Sequence, residues 1–308
     1  AGFAWMFSSI ESWLGAAVPA KQRGGVTGFY HLISKAALVI GPFFVAGLMP
    51  TDFHPVLWCA LFLALALLPV CLTRRTEPPS PETTPLPLRR LIDLAPAGVA
   101  ASFLAGVINS GVMSLLPIYA SMKLPIGEGG ITAAAALAAA AAWTGGMISQ
   151  WPAGRLSDGM DRRLVIAAMA GTASIAAFVL AFLPNMSTGL ILTLLAVWGA
   201  GSLSFYSVAV AHTIDRAPPG QIARVMSGLL FAWAVGSVIG PLLAGVSMRT
   251  PMGAGGLFLF ASIMGVVLVG AMFWRRARRD VVDMDDQERW TITLPTTQNI
   301  VEIDPRAD

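Results

Sequence analysis

The chain is expected to be an all-α protein of the lipid bilayer. Three observations point there: its composition, the lengths of its apolar runs, and the placing of its basic residues. Of 308 residues, 56% are apolar and 12% charged, with a mean hydropathy of +0.70, which leaves too little polar surface to cover a water-soluble globule. Uncharged apolar stretches of about 20 residues recur, the length a helix needs to cross a hydrocarbon core about 30 Å thick. The net charge of +3 and pI near 9.2 come from short basic clusters between those stretches, a pattern of membrane topology and not of a nucleic-acid-binding face. No nucleic-acid partner is expected.

In chain order, a partial run, Ala1 to Val18, comes first. Eight complete runs follow: Val26 to Met49, Val56 to Leu72, Ala95 to Ala120, Ile131 to Trp151, Leu164 to Leu183, Thr188 to Ala211, Val225 to Met248 and Gly256 to Trp274. Each is continuously apolar instead of alternating, so helices follow and not barrel strands, because a lone helix satisfies its own backbone polar groups. Turn signals separate them, such as Pro184 with Asn185 and Pro218-Pro219-Gly220. The one long connection, Thr73 to Asp93, carries Pro78, Pro79, Pro81, Pro85 and Pro87 between two arginine pairs and reads as a semi-extended linker. The polar stretch Asp280 to Asp308 has little to bury and is expected to be disordered. The expected organisation is a remainder of one bundle (1–72), a linker (73–93), a second bundle (94–276) and a tail (277–308). Cys59 and Cys71 share one apolar run without a His/Cys cluster, so neither a disulfide framework nor a zinc site is expected.

Orientation follows from the basic residues. Alternate loops hold Lys21 and Arg23; Arg74, Arg75, Arg89 and Arg90; Arg155, Arg162 and Arg163; Arg216 and Arg224; and Arg275, Arg276, Arg278 and Arg279, which is fifteen of the twenty. The opposite loops hold only Lys123 and Arg249. By the positive-inside rule the linker and C-terminus are cytoplasmic.

An internal repeat at an offset of 199 residues pairs Pro19, Gln22, Val26, Ile40-Gly41-Pro42 and Met49 with Pro218, Gln221, Val225, Ile239-Gly240-Pro241 and Met248. Both copies start from a basic loop, so the repeat keeps its orientation, as for two like bundles related by an axis along the membrane normal. Ala95 to Phe182 precede the later copy and have no counterpart before residue 1. The expectation is therefore a twelve-helix protein whose fourth to twelfth helices are here and whose first three are missing.

The most specific local signal is Gly154-Arg155-Leu156-Ser157-Asp158-Gly159-Met160-Asp161-Arg162-Arg163, placed in the loop between two runs. It resembles the loop motif of the major facilitator superfamily: glycine, x, leucine, small, aspartate, basic, x, glycine, then two basic residues. Gly154, Leu156, Ser157, Asp158, Arg162 and Arg163 match, while Gly159 and Asp161 depart. In physical terms the glycine allows a tight turn, and the aspartate can pair with arginine or sit against a helix N-terminus, holding one access state. Ile10-Glu11-Ser12-Trp13 with Gln22-Arg23-Gly24, Gly146 to Asp158, and Val235 to Pro241 extend the resemblance to the YcaD-like branch. The resemblance implies a major facilitator fold and a bacterial inner-membrane secondary transporter. Such a protein moves a small solute by alternating access, driven by a proton gradient, and acts as a monomer in the bilayer. The rival reading is a transporter fold serving as a membrane sensor or assembly partner without net flux.

Intramembrane ionisable groups are functional candidates by default. Glu11 and Lys35 suit a structural ion pair, a proton- or substrate-linked site, or snorkelling to the interface. His31 lies one turn from Lys35, and His212 lies near the end of its run; either could titrate or serve as a helix-end contact. Asn109, with Ser110 and Ser114 nearby, offers hydrogen bonds at mid-membrane depth for a solute or for a neighbouring helix. Gln150 is expected to serve the loop motif. Gly41, Pro42, Gly236, Gly240 and Pro241 are read as close-packing and bending positions. No enzyme motif accompanies the helices, and no cofactor or metal is expected.

Overall fold

The computed structural model of the chain describes residues 33–34, 36–44, 53–72, 87–125, 130–218 and 221–278. Glu11, His31, Lys35, the linker as far as residue 86 and the tail from residue 279 lie outside the described residues. A helical stretch within 33–44 carries Gly41 and Pro42. It is followed by α1 (His54–Leu72), α2 (Leu88–Leu94), α3 (Pro96–Lys123), α4 (Gly130–Asp158), α5 (Arg162–Phe182), α6 (Thr188–Ser202), α7 (Phe205–Ile214), α8 (Ile222–Met248) and α9 (Gly255–Arg276). Among the described residues, six segments are long and apolar enough to cross a membrane, α6 and α7 together counting as one. Large apolar side chains such as Ile175, Val238, Leu242 and Val266 face outward, which suits lipid and not water.

The spans pack through small residues. Along α3 and α8, Gly106 lies against the Trp233 carbonyl, Gly236 against that of Phe103 and Gly240 against that of Val107, so close that a Cβ at any of them would meet backbone. In lipid no hydrophobic force drives helices together, so this close approach supplies the van der Waals contact that does. Pro241 stands inside α8, which continues to Met248. Toward the far end an aromatic group joins three helices: the Tyr119 and Phe258 rings are 4.7 Å apart and Trp198 and Phe258 6.0 Å. The Tyr119 hydroxyl donates to the Leu180 carbonyl on α5 at 3.3 Å.

Three features depart from the sequence reading. The linker's described end is not extended. Residues Leu88–Leu94 form α2, and Leu91 is fully buried against Gly228 of α8, an apolar face outweighing the prolines that precede it. The run Thr188 to Ala211 is not one helix but two, interrupted at Leu203 and Ser204. Two glycines (Gly199, Gly201) lower helix propensity there, and Ser202 and Ser204 offer competing hydrogen bonds. Finally, Gly154 to Asp158 form the last turn of α4, so the connection to α5 is only residues 159–161. Gly154 is helical, and the tight turn expected there falls at Gly159 and Met160.

Candidate functional site: a polar seam and a charged anchor

The interruption of the α6–α7 span creates the first site. A broken helix leaves backbone carbonyls without intrahelical donors, and in a bilayer they must be satisfied by neighbours. Asn109 of α3 donates from Nδ2 to the Ser202 carbonyl at 3.1 Å, and the Ser202 hydroxyl donates back to Asn109 Oδ1 at 2.6 Å. From α4, the Ser149 hydroxyl donates to the Ala200 carbonyl at 2.7 Å and lies 2.9 Å from the Ser204 hydroxyl. Ser204 in turn donates to the Gly146 carbonyl at 2.7 Å. Three spans therefore meet at one neutral hydrogen-bonded junction.

The junction continues along α3 and α7. Gly98 lies against Ala209 and Thr213, and Asn109 against Ser202, so the two segments run antiparallel with facing stripes. Ser102 and Tyr206 lie between those contacts. The Ser102 Oγ, the Tyr206 hydroxyl and the Gln150 Oε1 on α4 are buried without a hydrogen-bond partner among the described residues. Buried polar groups of this kind ordinarily have a partner, often water. Ser110 and Ser114 lie farther from the seam, half-buried and exposed.

The second site is a charged anchor where α4, α5, α7 and α9 end together. Arg162 Nε lies 2.9 Å from Asp215 Oδ2, with side chains only 1% and 2% exposed. Asp158, 34% exposed, approaches Arg162 at 3.6 Å. Asp161 caps the α5 N-terminus by accepting from the Arg163 backbone N–H at 3.0 Å. It also accepts from Arg163 Nε at 3.0 and 3.2 Å and stands 3.4 Å from Arg276 Nε. Arg163 Nη1 reaches across to the Arg275 carbonyl at 3.2 Å. Gly154 and Ser157 face inward, the Ser157 hydroxyl donating to the Gly154 carbonyl at 2.7 Å, while Leu156 is exposed.

His212 belongs to the anchor. Arg216 Nη1 donates to His212 Nδ1 at 3.1 Å and to its carbonyl at 3.0 Å. A guanidinium has no lone pair to offer, so Nδ1 is the acceptor and the imidazole is neutral, carrying its proton on Nε2.

The organisation of the spans and this anchor can be set beside known proteins. A family model described as Major Facilitator Superfamily matches residues 1–185 and, overlapping, 129–298. The chain belongs to the major facilitator superfamily. It is 26% identical over 252 residues to an uncharacterized MFS-type transporter of Enterobacter sp. (strain 638), covering 80% of this chain and 63% of that protein. It is 24% identical to the uncharacterized MFS-type transporters YcaD of Salmonella heidelberg (strain SL476) and Escherichia fergusonii, with the same coverage. The chain thus spans 63% of the length of these curated relatives. No solved structure matches.

In this major facilitator chain the loop motif's departure, Asp161, is the residue that caps α5 and collects two arginines. Its signal was present in the sequence, an aspartate immediately before a helical run. Asp215 carried no comparable signal, since its partner stands 53 positions earlier. Asp158, at 3.6 Å from Arg162, makes the longer of that arginine's two carboxylate approaches described above. Because it is partly solvated, Asp158→Asn should change stability by less than about 1 kcal/mol. Its expected effect is on access: site-directed alkylation from the two sides should give a changed ratio at near-normal thermal stability. An unchanged ratio would leave Asp158 a structural helix-end residue.

Proposed function

We propose that this chain is the larger part of a secondary active transporter that moves a small solute by alternating access. In this reading, helices within 1–72 and 94–276 belong to two bundles that rock about a central site. The observation that carries the proposal is the polar seam at the broken span, together with membership of the superfamily. A junction of Asn109, Ser149, Ser202 and Ser204, with a Ser102 Oγ, Tyr206 hydroxyl and Gln150 Oε1 that find no partner among the described residues, is costly in a lipid-phase bundle unless water or a solute uses it. A discontinuous membrane helix is where transporters of several folds hold solutes, because it frees backbone groups at mid-depth. Coupling to protons, with Glu11 as the candidate carrier and with Lys35, one turn from His31, as the opposite charge on the following run, belongs to the same proposal. So does placement in a bacterial inner membrane with linker and C-terminal tail cytoplasmic, an orientation supported by the basic-residue asymmetry.

The test is solute counterflow in proteoliposomes, screened with and without a pH gradient. For a solute that exchanges, Asn109→Ala should slow counterflow roughly tenfold or more, since it unpairs the Ser202 carbonyl and hydroxyl together. The thermal midpoint should fall by only a few degrees. Binding without exchange would favour the sensor reading. Unaltered counterflow in the Asn109 variant would move the solute site away from the seam.

A further inference from the structure

At the end of α9 the chain presents three side chains that neither the seam nor the anchor uses, those of Trp274, Arg275 and Arg278. The Arg275 guanidinium stacks over the Trp274 ring at 4.3 Å from its centroid, and that of Arg278 at 4.6 Å from the same centroid. Trp274 is half-exposed beside exposed Phe273, at the boundary where the apolar run of α9 meets a basic terminus. Among the described residues neither Arg275 nor Arg278 pairs with a carboxylate, whereas their neighbour Arg276 pairs with Asp161. We propose that Trp274, Arg275 and Arg278 form a binding site for the phosphate headgroup of an anionic phospholipid.

The geometry favours this occupant over solvent alone. Two cations held on one indole lie no more than about 9 Å apart and repel each other. An anion that accepts from the N–H edges of both guanidiniums relieves that repulsion. Planar guanidinium forks suit phosphate oxygens better than a point charge does. The exposed indole closes the apolar run of α9, the position at which tryptophan ordinarily anchors to headgroups, and exposed Phe273 precedes it. The platform is also rigid. Arg163 holds the Arg275 carbonyl at 3.2 Å and Asp161 holds Arg276, so the α9 terminus is fastened to α5 before any lipid arrives. Another arginine–tryptophan stack among the described residues, Arg155 over Trp151 at 4.1 Å, has one cation and serves as the comparison.

The experiment uses the full chain purified in a zwitterionic detergent. Native mass spectrometry and thermal unfolding would be followed with added phosphatidylglycerol, phosphatidylcholine or inorganic phosphate. Phosphatidylglycerol should remain bound and raise the thermal midpoint; phosphatidylcholine should not. Each arginine near an anionic surface is worth about fivefold in binding. The double variant Arg275→Gln/Arg278→Gln should therefore lose roughly twentyfold in phosphatidylglycerol affinity, while Arg155→Gln should leave it unchanged. Arg278→Gln alone follows the last helical turn and cannot unfold α9, so it keeps the test open if the double variant misfolds; it should lose about fivefold. Lysine at both positions should recover only part of the binding. Equal loss from Arg155→Gln would show a general effect of net positive charge and overturn the site, as would undiminished lipid retention in Arg278→Gln. A shift produced by inorganic phosphate alone would reassign the site to a soluble anion.

Discussion

Asp215→Asn should lower the stability of the chain by about 3–5 kcal/mol, the cost of taking its nearest carboxylate from a buried charge. The Arg162 side chain is 1% exposed, and its short contact is with Asp215 at 2.9 Å. A second carboxylate, Asp158, is 3.6 Å away and partly solvated, so it cannot compensate in full. The pair also joins two elements that do not follow each other in the chain: the start of α5 and the end of α7. In thermal unfolding by fluorescence-detected size exclusion, the midpoint should fall on the order of 10 °C. The double replacement Arg162→Met/Asp215→Leu separates two explanations. Apolar residues of similar volume avoid the desolvation penalty, so the double variant should regain most of the stability lost by the single one. A single variant as mild as Asp158→Asn would mean that water reaches the pair.

How much of this was legible beforehand depends on the range over which each signal acts. The ends of α5 and α8 fall within three residues of the apolar runs, because lipid imposes a length and a charge limit that a single segment reveals. The break at Leu203 and Ser204 did not emerge, since averaging over a span of high hydropathy conceals two glycines and two serines at its centre. The pairing of Arg162 with Asp215 and the seam from Asn109 to Ser202 are non-local, and one sequence carries no record of which helices adjoin. Asn109 itself was legible as a polar residue at mid-depth, but its partners were not. Asp161 illustrates the opposite case. It departs from the motif, and its physical use as a helix cap outweighs the glycine of the pattern.

Gly236 offers the sharpest test of the packing that holds α8 against α3. A Cβ there would meet the Phe103 carbonyl oxygen, with the Val107 nitrogen at 3.0 Å and the Phe103 carbonyl carbon at 3.2 Å. All three are backbone atoms, so no rotamer change can make room and α8 must move away. That movement would also open the contacts of Gly106 and Gly240, which belong to the same interface. Gly236→Ala should therefore cost about 1–3 kcal/mol and Gly236→Leu more, despite the better helix propensity of both residues. Gly245, on the same helix, has nothing within 4 Å of its would-be Cβ. There the propensity gain acts alone, and Gly245→Ala should stabilise by about 0.5–1 kcal/mol. Thermal midpoints of the two alanine variants should thus move in opposite directions from the parent. Equal shifts of the same sign would mean that α3 and α8 are not in backbone contact at Gly236, and the small-residue account of this interface would fail.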